Sequence, residues 1–220
     1  MGEDFIVPLC QETVAILFVD ESIILVDKPS GLLSVPGKHP LNKDCLITRV
    51  QQNYPDALIV HRLDMDTSGV MVLARGKASL SHLSRQFQER QTQKQYLAWV
   101  YGLLDNDEGA VDLPLCCDWP NRPKQMVDHV QGKASLTYFE VLERRGENLQ
   151  TKVLLKPVTG RSHQLRVHMA ALGHPISGCG FYAHAAAFEQ AERLQLHAWK
   201  LAFSHPVTGV PVQQTAAAPF

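Results

Sequence analysis

No C-x-x-C pair occurs among the five cysteines, Cys10, Cys45, Cys116, Cys117 and Cys179. The odd number and the missing pair argue against a disulfide framework and against a zinc ribbon. They predict reduced thiols in a cytoplasmic protein. No apolar run approaches the roughly 18 residues a membrane span needs, so no membrane partner is expected. The opening MGEDFIVPLCQE is acidic and short of apolar residues, which predicts no secretory signal. Ile6 stands where a myristoylation signal wants Ser or Thr. The Walker loop, the dinucleotide-binding glycine fingerprint, G-x-S-x-G and H-E-x-x-H are all missing, and with them the chemistries they serve. His163 and His168 are five apart on an expected helix, a poor spacing for sharing a metal. Ser68 and Ser162 have no visible triad partners.

The chain is 220 residues long, 45% apolar and 20% charged, enough for a proper core in one large domain or two small ones. Net charge is −1, which by itself speaks against a nucleic-acid partner. The distribution speaks differently. Residues 1–30 hold six acids against one base, and residues 100–117 hold four acids and no base. Residues 61–99 hold six bases against three acids, and residues 118–168 hold nine against five. Two basic segments could build one positive face on a neutral protein, which leaves RNA or DNA binding open.

Val14–Asp20 and Ser22–Pro29 read as strands around the turn Asp20-Glu21. Cys45–Pro55 reads as a short helix stopped by its proline. Ala57–Asp64 reads as a strand, followed by a polar turn and the strand Gly69–Arg75. Lys77–Arg90 carries Leu80, Leu83 and Phe87 at helical spacing. Lys94–Gly102 is an aromatic strand, and the segment 103–135 reads as loop. Ser135–Arg145 and Leu149–Pro157 form an expected hairpin. His163–Gly173 reads as a helix closed by Gly173, with Leu165, Met169 and Leu172 buried and Arg166 off that face. Leu194–Pro206 is the last strand expected. Many consecutive strands with few helices predict an α+β fold, a mainly antiparallel mixed β-sheet flanked by helices and loops.

Two constellations could carry chemistry. In His61-Arg62-Leu63-Asp64-Met65-Asp66-Thr67-Ser68-Gly69, two carboxylates lie two residues apart. Asp64 would end a strand and point into a cleft, while Asp66 would cap the turn. Pattern alone leans to the first and does not decide. In Thr159-Gly160-Arg161-Ser162-His163-Gln164-Leu165-Arg166, a Gly turn enters a helix whose first turns bear two arginines, a setting that grips phosphate or carboxylate. Tyr96 is read as core or as a face on which a base stacks. Gly178-Cys179-Gly180 reads as a turn.

Together these stretches resemble the RluA family of pseudouridine synthases. Val26-Asp27-Lys28-Pro29-Ser30-Gly31-Leu32-Leu33-Ser34-Val35-Pro36-Gly37 is similar to the family's first motif, and His61-Arg62-Leu63-Asp64 with Thr67-Ser68-Gly69 to its catalytic motif. Lys94-Gln95-Tyr96-Leu97-Ala98 is similar to its tyrosine strand, and Leu155–His168 to its third motif. The likeness runs from about residue 14 to about 206. It implies a single catalytic domain over 1–220, without the N-terminal S4 RNA-binding module of some members. Cys117–Gln125 (CDWPNRPKQ) and Ala170–Pro175 are similar to short members that modify both 23S ribosomal RNA and the transfer-RNA anticodon stem-loop. One departure stands out: Cys179-Gly180 replaces the Asp and its neighbour that members usually carry, with Gly178 and Tyr182 kept.

The resemblance implies an isomerase that detaches uracil from C1′ and reattaches it through C5, with no cofactor and no metal. It assigns catalysis to Asp64, aided by Arg166 as its cationic partner and by Tyr96 over the detached base. Arg62 would fill the gap left by a flipped uridine, and His61, Thr67, Arg161 and Lys28 would contact RNA. A monomer is the expected state. The alternatives are a family member with another ribosomal or transfer-RNA target, an RNA-binding relative without catalysis, and a metal-independent hydrolase using the same carboxylate.

Overall fold

A computed structural model describes residues 6–220. The acidic start, read above as no export signal, lies partly outside the described residues. The chain divides into two compact units: a terminal unit that runs through Lys94 and resumes at Ala198–Pro219, and a middle unit, Gln95–His197, joined by Phe220.

In the terminal unit, β1 (Ala15–Val19), β2 (Ile23–Lys28), β3 (Ala57–Ile59), β4 (Ser68–Arg75), β11 (Leu196–Ser204, whose first two residues belong to the middle unit) and β12 (Pro211–Thr215) form antiparallel ladders. The order is β1-β2-β4-β11, with β3 on β4 and β12 on β11. β4 is buried at every position but the last, so its sequence is one apolar run rather than an alternation. β1, by contrast, is exposed at four of its five positions, as an edge strand is. Helix α1 (Leu46–Gln51) precedes β3, and helix α2 (Gly76–Gln88) follows β4. Leu83 of α2 packs with Ile23, Leu25, Val70, Val72, Leu201 and Phe203. Gln86 clips α2 to β11: its Nε2 donates to the Ser204 carbonyl at 2.7 Å, and its Oε1 accepts from the Ser204 N–H at 2.8 Å.

In the middle unit, β5 (Gln93–Tyr101, its first two residues in the terminal unit), β10 (Gln150–Pro157), β9 (Leu136–Arg145) and β6 (Glu108–Asp112) pair antiparallel in that order. A small separate hairpin joins β7 (Leu115–Cys117) and β8 (Gln125–Val127). Helices α3 (Gln164–Ala171) and α4 (Ala185–Phe188) complete the unit. Ala98, Val100, Phe139, Val153, Leu155 and Met169 are among its buried core.

The α+β, mainly antiparallel reading holds, and four details are corrected. The strand expected over 57–64 stops at Ile59. There the His61 imidazole, rather than a further ladder pair, meets β4 by accepting the Val72 N–H, and Ser34 takes the Leu63 backbone. The loop expected over 103–135 contains β6, β7 and β8, too short to show a period. A further strand, β12, follows β11. Arg166 is not off the buried face of α3: it is 2% exposed, while Leu172 is 40% exposed. Every residue from Gln164 to Met169 is buried, because this helix is covered all round. No helix among the described residues is long and apolar enough to cross a membrane.

Candidate active site

The stretch between β3 and β4 holds Asp64 in a loop, not at a strand end. A loop can aim a carboxylate only if its backbone is fixed. Three polar side chains, one at the end of β2 and two just after it, do this. Ser34 Oγ donates to the Leu63 carbonyl at 2.7 Å and accepts the Leu63 N–H at 3.2 Å. Lys28 Nζ donates to the Met65 carbonyl at 2.9 Å, and Ser30 Oγ to the Asp66 carbonyl at 2.7 Å. The residues on both sides of Asp64 are therefore tethered to one segment. Within the loop, the Thr67 N–H donates to the Asp64 carbonyl at 3.2 Å. The Asp66 carboxylate, expected to cap the turn, takes no hydrogen bond among the described residues; backbone and Ser30 hold the turn instead. Sequence reasoning missed Ser30 and Ser34, although both stand inside the first motif. A buried hydroxyl facing a loop some thirty residues on leaves no local pattern.

Lys28 and Thr67 do not lie where the resemblance puts them. Lys28 is 0% exposed, and its ammonium also donates to the carbonyls of Pro29 and Leu32, each at 2.8 Å. A cation enclosed by three carbonyls organises the chain rather than meeting an RNA phosphate. Thr67 is 3% exposed and equally internal. His61 is half-buried and stacked on Phe87, with ring centroids 4.5 Å apart. Desolvation, with the nearby Lys94 ammonium, pushes its imidazole down to about 3 from the usual 6.5. The ring is therefore neutral, and since Nε2 accepts the Val72 N–H, its proton sits on Nδ1. Arg62 is exposed and Asp64 half-buried. Gly69, second in β4, sits at φ +120°, where a Cβ would come within 2.3 Å of the Ala198 carbonyl oxygen. Only glycine permits that approach.

In the middle unit, Gln164 locks the turn into α3. Its Oε1 accepts from Thr159 Oγ1 at 2.7 Å and from the Arg161 N–H at 3.0 Å; its Nε2 donates to the Leu136 carbonyl and to Thr137 Oγ1, both at 3.0 Å. Arg161 itself is exposed. Further along, the Arg166 guanidinium lies over two aromatic rings, 5.1 Å from the Phe181 centroid and 5.5 Å from that of Tyr182. Its Nε donates to Cys179 Sγ at 3.3 Å. Cys179 is 1% exposed. Cys179, where the sequence departs from the resemblance, thus supplies a soft sulfur acceptor that orients this arginine. Tyr96, half-buried on β5 opposite Leu155, packs against the core cluster that contains Leu165 and Cys179. His168 Nε2 donates to the Leu113 carbonyl at 3.0 Å, which leaves Nδ1 to accept from Thr137 Oγ1; burial lowers its pKa, and it is a structural histidine.

What these elements offer chemically is a carboxylate on a tethered loop, a buried guanidinium held by two rings and a thiol, an exposed arginine beside the carboxylate in sequence, and an aromatic phenol. Comparison with known proteins agrees. Residues 22–171 match the family described as RNA pseudouridylate synthase. The chain is 55% identical over 205 residues to the dual-specificity RNA pseudouridine synthase RluA of Yersinia pestis, covering 93% of this chain and 99% of that protein. It is 52% identical over 220 residues to the protein of the same name from Escherichia coli, covering 100% of each. Among solved structures, human RNA pseudouridylate synthase domain containing 1 matches with a TM-score of 0.79 at 30% identity, over 97% of this chain and 86% of that one.

Proposed function

The chain belongs to the RNA pseudouridylate synthase family and is an RNA isomerase; we propose that it converts uridines of 23S ribosomal RNA and of the transfer-RNA anticodon stem-loop to pseudouridine, with Asp64 as the catalytic carboxylate. The reaction breaks the bond from C1′ to N1 of uracil and makes one from C1′ to C5. The C5 proton leaves to solvent and N1 takes one up, so nothing is oxidised and no group is lost. Positive charge on the sugar is met by an ionised carboxylate. Because the base is kept, one carboxylate suffices where glycoside hydrolysis uses two.

The observation that carries Asp64 is its tethering: Ser34, Lys28 and Ser30 bind the backbone of Leu63, Met65 and Asp66. Pre-set geometry of this kind is what a reacting group needs and what a solvated turn lacks. Asp66 has only its carbonyl tied and is left as a turn residue. Arg166 is assigned as the cation that serves the carboxylate, and Tyr96 as the ring over the detached uracil that helps move the C5 proton. Arg62, exposed next to this loop, is assigned to the vacancy of the flipped uridine. Flipping costs a few kcal/mol, and a guanidinium plane stacked in the gap returns part of it. The enzyme is assigned to the cytoplasm, as a monomer of one catalytic domain.

Tritium release from RNA labelled at uracil C5 tests the assignment. Asp64→Asn is expected to abolish release while RNA binding survives, and Asp66→Ala to keep most of it. Release by Asp64→Asn refutes the role. Free uracil in the product, seen by chromatography, would make the protein a hydrolase. Pseudouridine mapping of both RNA classes after incubation with the wild type and with Asp64→Asn tests the targets.

A further inference from the structure

The β7–β8 hairpin carries a feature that isomerisation does not call for. Its connection forms a 3₁₀ turn over Trp119–Asn121, with proline in the first turn. Backbone bonds close it three times, from the Asp118 N–H to the Lys124 carbonyl, from the Asn121 N–H to the Asp118 carbonyl and from the Lys124 N–H to the Asn121 carbonyl, each 3.0 Å. Asn121 Nδ2 reaches both Asp118 carboxylate oxygens, at 3.1 and 2.9 Å. On this stiff loop Trp119 is 68% exposed. A large aromatic ring held out to solvent is uncommon, since tryptophan is highly buried on average. The exposed Arg122 guanidinium lies over its ring, 4.9 Å from the centroid.

The charges around this ring are mixed, and the cations have no ionic partner among the described residues. Asp118 and Asp128 line the same recess of about 410 Å³ as Trp119 and Met126. Both carboxylates are occupied, Asp118 by Asn121 and Asp128 by the N–H groups of Val130 and Gln131, at 2.8 and 2.9 Å, and by the Cys116 thiol. Arg122 and Lys124, in contrast, make no ion pair among the described residues. The hairpin is also coupled to the active-site arginine. The Gln125 N–H donates to Tyr182 Oη at 2.8 Å, and the Tyr182 ring lies beneath the Arg166 guanidinium. The same phenol oxygen is 2.6 Å from His163 Nδ1.

We propose that Trp119, backed by Arg122, stacks an unpaired base of the substrate RNA flanking the target uridine, with Arg122 and Lys124 gripping its phosphates, so that this hairpin helps decide which RNA loop is accepted. Aromatic faces with arginine are how single-stranded bases are held without reading their edges. The rigidity of the loop keeps the ordering cost of that contact low. The proposal rests on RNA being the substrate, and its test reads binding without turnover, so the two can fail separately.

The probe is a fluorescein-labelled transfer-RNA anticodon stem-loop, with Kd read by anisotropy at several salt concentrations. Trp119→Ala and Trp119→Leu are expected to raise Kd between about 5-fold and about 100-fold, whereas Trp119→Phe stays within about threefold of the wild type. Arg122→Ala is expected to reduce the salt slope of log K by about one unit. Leucine fills space and buries area without a π-face, so the Leu and Phe variants separate stacking from packing even if the Ala variant folds poorly. A Leu variant that binds as tightly as the Phe variant overturns the proposal. Unchanged affinity in all the variants also overturns it and gives the hairpin to a partner other than RNA. A wild type that binds the stem-loop yet forms no pseudouridine in it overturns the target assignment and leaves the stacking result standing.

Discussion

Replacing Lys28 with methionine separates two roles for a basic residue in this enzyme. Methionine keeps most of the side-chain volume and removes the ammonium. In the wild type that ammonium donates to the carbonyls of Pro29, Leu32 and Met65 at 2.8, 2.8 and 2.9 Å, with the side chain 0% exposed. Hydrogen bonds to a charged group contribute about 1.5–3 kcal/mol each, and a carbonyl left buried and unpaired costs about 1–3 kcal/mol. Against this stands the desolvation of the ammonium in the wild type, which the variant no longer bears. The net expectation is a loss of about 3–5 kcal/mol, the three charge-assisted bonds offset in part by that desolvation. With a urea slope of about 2–3 kcal/mol per molar, the unfolding midpoint falls by roughly 1–2 M. The Met65 carbonyl also loses its tether one residue after Asp64, so kcat falls even where the variant is fully folded. The salt slope of RNA binding stays put, because no phosphate contact is lost. Equilibrium urea unfolding, tritium release below the transition and binding across salt measure all three. A stable variant whose salt slope drops by about one unit would refute this reasoning and return Lys28 to the RNA surface.

The neutral His61 makes acid stability a further test. Its folded pKa, about 3, lies below its ordinary 6.5, so its contribution to stability is present above pH 6.5 and is lost as pH falls towards 3. The gap is equivalent to about 2–4 kcal/mol after discounting for its partial exposure. His61→Gln should therefore lose less stability than the wild type between pH 6.5 and about 4, and parallel curves would refute the burial of a neutral ring. Ser34→Ala removes both bonds to Leu63 and should cost about 1–3 kcal/mol, with a fall in kcat larger than the rise in KM. Gly69→Ala places a methyl 2.3 Å from the Ala198 carbonyl oxygen at a positive φ, and little folded protein is expected by circular dichroism. A folded, active Gly69→Ala would show that β4 and β11 can separate at that point.

Asp20 offers a smaller acid-side effect. Burial works to raise its pKa, but the N–H groups of Ser22 and Ile23 and the His205 ring outweigh that and hold it below the usual value. Its stabilisation is present above pH 3.8 and fades as pH falls through the lowered value.

Periodicity and the order of motifs carried much of this protein in one dimension. The apolar run of β4, the β9–β10 hairpin and the Leu80, Leu83, Phe87 spacing of α2 are local patterns, and each folds as its period predicts. The stretch at 61–69 and the replacement at Cys179 stood out through the family resemblance, where residue type alone did not decide. The orientation of polar groups was legible in neither. The resemblance makes Lys28 and Thr67 outward contacts, yet both are internal, and the Lys28 ammonium is taken up by the carbonyls of Pro29, Leu32 and Met65. Arg166 falls off the apolar stripe of its helix and is nonetheless buried, under aromatic rings fifteen and sixteen residues further on. Ser30 and Ser34 acquire a function only when the loop at 63–66 is brought onto them. Local sequence sets which backbone shapes are cheap. Whether a charge or hydroxyl faces water or holds a catalytic loop depends on donors and acceptors supplied from distant segments, and only the tertiary structure decides that.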